Sequence, residues 1–139
     1  MKKRIKQLSL FAMVFIMLVS NFSVLAATPP TVQPFFDNAY SASASLTISS
    51  NGLASCYGKI SLHSGRTAEL SLTLLRSTDR NNWSSVKTWS TSGSSVLKID
   101  KTYFVASGYY YIVELNADIY NSQNVIIENI TTYSSICSY

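Results

Sequence analysis

Residues 107–120 read SGYYYIVELNADIY, a turn signal followed by a strictly alternating run. Every second residue places Tyr109, Tyr111, Val113, Leu115, Ala117 and Ile119 on one side and Tyr110, Ile112, Glu114, Asn116, Asp118 and Tyr120 on the other. A period of two belongs to a β-strand with one face on a core. The first set is apolar throughout, while the second carries two carboxylates and an amide suited to water. The remainder of the chain is expected to supply the strands that this one needs as partners.

Such strands are found on both sides. Downstream, Asn121-Ser122-Gln123-Asn124 is a turn leading into a last strand over residues 125–133. Upstream, Ser92-Gly93-Ser94-Ser95 leads into a strand over 96–103, in which Leu97 and Ile99 alternate with Lys98 and Asp100. Before it, Asp79-Arg80-Asn81-Asn82 links a strand over 68–76, with Leu70, Leu72 and Leu74 inward, to one over 83–90 that holds Val86 and both tryptophans. The first two strands run from Ala42 to Ile48 and from Leu53 to Leu62, with Asn51-Gly52 between them as a two-residue hairpin signal. No 3.6-residue period is sustained after the opening segment. Seven strands with turns every eight to twelve residues predict an all-β, seven-stranded antiparallel sandwich or a barrel.

The opening segment has a different character. Met1 to Lys6 is basic, Leu8 to Val19 is apolar apart from Ser9, and Val24-Leu25-Ala26 offers small residues where a signal peptidase reads them. The expected organisation is therefore a cleavable signal peptide at 1–26, an extended proline-bearing lead-in at 27–41 in which Phe35 and Phe36 pack on the domain edge, and a sandwich domain at 42–139. Ser20, Asn21 and Ser23 cut the apolar run short of a membrane span, which needs about 18 residues or more. The expected localisation is secreted, without a stable membrane anchor after cleavage. Four of the eleven Lys and Arg residues lie in the leader, leaving seven against seven acidic residues. With no surplus positive charge, the mature chain is not expected to bind nucleic acid.

The strand rhythm resembles a fibronectin type III or immunoglobulin-like sandwich in the order A, B, C, C′, E, F, G. The resemblance is carried by LTLLRSTDRNNWSSVKTWS as the C–C′ hairpin and by the tyrosines that follow Ser107-Gly108, where such folds place a corner tyrosine. It implies that 107–120 is strand F, with Tyr109 as the corner residue. The chain also resembles small secreted proteins of Gram-positive bacteria that have no assigned function, which implies export and carries over no site residues.

Cys56 and Cys137 are the only cysteines. In an exported protein such a pair reads as a disulfide. Alternating strand directions put both at one end of the sandwich, where a bond would constrain the unfolded chain by about 4 kcal/mol.

Chemistry is sparse. The single histidine, His63, falls in a polar loop that reads as solvated, with no orienting acid or nucleophile marked out. Glu114 and Asp118 lie about 13 Å apart along a strand, too far for a glycosidase pair. Asp79 with Asn81 and Asn82 reads as turn chemistry rather than a calcium loop. No catalytic, cofactor or metal residue is assigned, and the chain is not expected to be an enzyme.

Binding is the remaining reading. Trp83 and Trp89 are an even number of residues apart, so both face outward if Val86 faces the core. With Tyr110 and Tyr120 they form the candidate binding surface, since aromatic rings on a sheet offer apolar area with a polar handle; the alternative is that one tryptophan is the core indole of the sandwich and the tyrosines are ordinary strand formers. A second candidate is the end bearing residues 63–67, 92–95 and 121–124, because loops at one end of such sandwiches form binding sites. The expected function is a secreted, non-enzymatic interaction module for a protein or glycan at the cell surface. The alternative is a secreted antibacterial or signalling effector.

Overall fold

A computed structural model describes residues 35–139; the expected signal peptide at 1–26 and residues 27–34 of the expected lead-in lie outside the described residues. Eight strands follow one another, with no helix among the described residues: β1 (Ala39–Ile48), β2 (Leu53–Leu62), β3 (Thr67–Ser77), β4 (Ser84–Ser94), β5 (Val96–Phe104), β6 (Tyr110–Tyr120), β7 (Ile126–Tyr133) and β8 (Cys137–Ser138). All pairings are antiparallel. One sheet has the order β1-β2-β5. The other runs β4-β3-β6-β7, and β8 continues along β6 beyond the end of β7. Two sheets around a shared core make a β-sandwich.

The alternation of 107–120 is realised along β6, where Tyr111, Val113, Leu115, Ala117 and Ile119 are buried and the residues between them are half-buried. These side chains meet Leu70, Leu72 and Leu74 of β3 and Ala54, Cys56 and Ile60 of β2 in one core cluster. Between them sits Gly58, where an added Cβ would lie 2.6 Å from Leu115 Cδ1 and 2.7 Å from Leu72 Cδ1. That glycine sets how closely the sheets approach.

The described part of the lead-in differs from expectation at two places. β1 begins at Ala39, three residues early, with a register shift between Ala39 and Ser41 that leaves Tyr40 on the outside. Phe36 packs on the core, whereas Phe35 is 93% exposed.

The Asn-Gly turn also differs. Ser49 N–H donates to Leu53 O (3.0 Å), and Gly52 N–H donates to Ser49 O (2.9 Å). The loop is thus Ser50–Asn51–Gly52, with only Gly52 at positive φ (83°). A two-residue type I′ turn needs positive φ at both central residues, so the three-residue turn with a glycine closing it has formed instead. Residues 121–125 repeat the pattern, with Asn124 at φ 59° in the glycine's place.

The tyrosine at the start of β6 that bonds back to the preceding loop is Tyr111 rather than the expected Tyr109. Tyr111 is buried, and its hydroxyl donates to Ala106 O at 2.7 Å, tying the approach loop to the strand. Only an inward-facing ring gains burial along with that bond. Tyr109 packs edge-on against it at 6.3 Å and lies beneath the Arg76 guanidinium.

Cys56 and Cys137 stand as separate thiols. After β7 the chain bulges at Ser134, whose backbone N–H and hydroxyl bond Val113, and returns to β6 with Cys137 opposite Tyr111. This path turns the Cys137 thiol to Leu46 O (3.3 Å), while Cys56, directly opposite Leu46 on β2, is enclosed in the core. Burial pushes the Cys56 thiol up to about 11 and also raises that of Cys137. Buried thiols of high pKa react slowly. Two thiols should therefore titrate in the protein, the half-buried Cys137 well before Cys56, and reducing agent should leave the melting temperature unchanged. A melt that falls on reduction, with no titratable thiol beforehand, would show the bond to exist.

Candidate functional site

The predicted aromatic surface does not assemble. A bulge in the β3–β4 ladder pairs Leu74 with Lys87 and Leu75 with Ser85, leaving Val86 as the extra residue. A bulge changes the parity of everything beyond it. Val86 and Trp89 consequently both pack against the core, with Trp89 opposite the buried Leu72 and edge-on to Tyr103 at 6.4 Å. Trp83 is half-buried in the segment before β4. Tyr110 and Tyr120 are half-buried at opposite ends of β6, about 34 Å apart at strand rise. Each belongs to a different neighbourhood.

At the Tyr110 end, a hollow of about 360 Å³ is lined by Thr78, Gly108, Tyr109, Tyr110, Ser138 and Tyr139. The Arg80 guanidinium lies 4.1 Å from the Tyr110 ring and that of Arg76 lies 5.0 Å from Tyr109, so both cations are exposed and engaged on aromatic faces. Beside them Asp79 caps its turn: Oδ1 accepts from Asn82 N (2.8 Å), Asn81 N (2.9 Å) and the Ser77 hydroxyl (2.8 Å), and Oδ2 from Asn82 Nδ2 (2.6 Å). The backbone N–H groups of Asn82 and Asn81 hold this carboxyl well below the usual range. Its oxygens are committed to the turn.

The opposite end gathers the three loops singled out in the sequence. A hollow of about 400 Å³ is lined by Tyr40, Leu62, His63, Ser64, Gly65, Arg66, Ser94 and Ser95, and a neighbouring one of about 290 Å³ by residues that include Thr67, Glu69, Ser92, Tyr120 and Asn124. Local geometry places these groups. Arg66 N–H donates to His63 O (3.3 Å), closing a turn whose third residue, Gly65, has φ 76°, as type II turns require. Leu62 N–H donates to Ser95 O (2.7 Å), joining the two loops, and Ser95 accepts a φ of 69° to do so.

His63 packs at a tilt of 57° against Tyr40, with ring centroids 4.2 Å apart, and Tyr40 is 72% exposed. Behind them Asn38 acts as a hub. Its carbonyl accepts from His63 N (3.0 Å) and its side-chain oxygen from Arg66 Nε (2.8 Å). Its own N–H and Nδ2 donate to Glu128 Oε2 on β7 (2.8 and 3.1 Å). Arg66 is half-buried, yet Nε is the only guanidinium nitrogen with a partner among the described residues.

Tyr40 and Arg66 were not singled out in the sequence. Tyr40 precedes the alternating run and owes its outward position to a register shift, while Arg66 is one cation in a polar loop. On the outer face of the larger sheet, Glu114 accepts from Asn116 Nδ2 (2.6 Å), Asp118 from Asn129 Nδ2, and the Asn116 amide oxygen from the Thr131 hydroxyl (2.6 Å). Among the described residues, no group of three or more His, Cys, Asp and Glu side chains is placed to hold a metal ion. No protein-family model matches the chain, and no curated protein matches it.

Proposed function

We propose that this chain is an exported, non-enzymatic binding module of the immunoglobulin or fibronectin III type, whose ligand is a protein or glycan at the cell surface and docks on the loop end around Tyr40, His63 and Arg66. The strand order β1-β2-β5 against β4-β3-β6-β7 and the Tyr111 corner support the type. The basic and apolar opening of the sequence supports export. The observation that carries the binding reading is the convergence on one hollow of an exposed aromatic ring, three serines and a half-buried guanidinium whose terminal nitrogens have no partner among the described residues. Tyr and Arg are the residues that anchor interfaces, because each combines contact area with directional hydrogen bonds. The residues lining the hollow that holds His63 include no carboxylate to orient the imidazole, which favours binding over triad chemistry at its serines.

A glycan-array and pull-down screen with the purified protein tests this reading. It should recover a specific ligand whose binding Tyr40→Ala weakens. No ligand on either screen, with growth inhibition of other strains instead, would replace it with the effector reading.

A further inference from the structure

We infer that the loop-end hollow recognises a carboxylate side chain in an acidic peptide segment of a partner protein, with Arg66 as the recognising cation. This rests on the loop end being the binding surface and specifies what it takes. Arg66 is anchored from behind, its Nε donating to Asn38 Oδ1 at 2.8 Å. Asn38 is in turn fixed by Glu128, whose carboxylate is occupied by Asn38 N (2.8 Å), Asn38 Nδ2 (3.1 Å) and Asp37 N (3.2 Å). The guanidinium plane is set before any ligand arrives. Its two terminal nitrogens, the pair of the fork that takes a carboxylate bidentately, have no partner among the described residues. Both terminal nitrogens are open to solvent, since among the described residues no buried side-chain nitrogen or oxygen lacks a partner, and an anion in the hollow can therefore reach them directly. Ser64, Ser94 and Ser95 line the same space with hydroxyls, and nothing lies within 4 Å of where a Gly65 Cβ would be, so the entrance is open.

The lining favours a peptide over an acidic sugar. Sugar rings stack on open aromatic faces, and the exposed tyrosine ring here, Tyr40, is packed at a tilt against His63 with centroids 4.2 Å apart.

The test is a nitrogen-15 NMR titration of the purified protein, following the Arg66 Nε–H and the Gly65 and Ser95 amides. The probes are acetyl-Val-Glu-Val-amide, its glutamine counterpart and glucuronate. The acidic peptide should shift all three signals saturably and bind at least about tenfold more tightly than the glutamine peptide, as loss of one charge-assisted pair implies. It should also bind more tightly than glucuronate. Arg66→Lys, which keeps the charge but not the fork, should weaken the acidic peptide about tenfold while the rest of the spectrum stays that of the folded protein. Equal affinity for the two peptides, silence at Arg66, or tighter binding of glucuronate would each overturn the inference. A partner recovered by pull-down whose binding is unaffected by Arg66→Lys would also overturn it, while leaving the binding-module reading in place.

Discussion

Leu115→Asp is expected to abolish folding, whereas Glu114→Lys, one residue away, is expected to leave a folded protein. Leu115 is fully enclosed between β2 and β3 and touches the Gly58 gap. Truncating such a leucine costs about 2–5 kcal/mol by itself. An aspartate there adds an unpaired polar or charged group with no donor nearby, a further cost of several kcal/mol. The sum approaches or exceeds the whole stability of a domain this size, about 5–15 kcal/mol. Glu114 faces the other way, half-exposed, accepting from Asn116 and bonded to Tyr133, whose hydroxyl it pushes to a higher pKa. Exchanging it for lysine costs about 1 kcal/mol or less. Soluble yield and thermal melts followed by circular dichroism read the contrast. Comparable stability of the two variants would mean that the faces of β6 are reversed.

Gly58→Val is the second large effect, and its sign is informative. Strand propensity alone predicts a gain, since valine is favoured over glycine in strands by up to about 1 kcal/mol. Packing predicts the opposite. A Cβ at residue 58 falls 2.6 and 2.7 Å from the tips of Leu115 and Leu72, both fully buried with little room to withdraw. Overpacking of this kind costs about 1–3 kcal/mol, or a fall of roughly 10 °C in melting temperature for a domain of about 100 residues. Gly58→Ala should fall by less. A valine variant that melts at or above the parent would show that the sheets stand further apart at this point.

The regular parts of this fold are written locally. The alternation along residues 110–120 needs only the period of two, and the β2 boundaries, Leu53 to Leu62, follow from the same pattern between turn residues. What escaped is produced by irregularities that pairing imposes. The extra residue at Val86 leaves no local mark, yet it sends Trp89 to the core and dissolves the expected pair of outward indoles. The shift at Ala39/Ser41 brings Tyr40 out in the same way, and the bulge at Ser134 decides where the Cys137 thiol points. The loop end was legible as a gathering of three loops because strand direction alone fixes which turns share an end. Its anchors were not, since the Arg66–Asn38–Glu128 chain links residues 28 and 90 positions apart.

The most direct measurement of the central claim is to map, by chemical-shift perturbation, where the ligand recovered from the binding screen contacts the protein. The account predicts perturbed signals at Tyr40, His63 to Arg66 and Ser94–Ser95, with the region of Arg80, Tyr109 and Tyr139 unchanged. Perturbation confined to that opposite end, with the loop end silent, would contradict it.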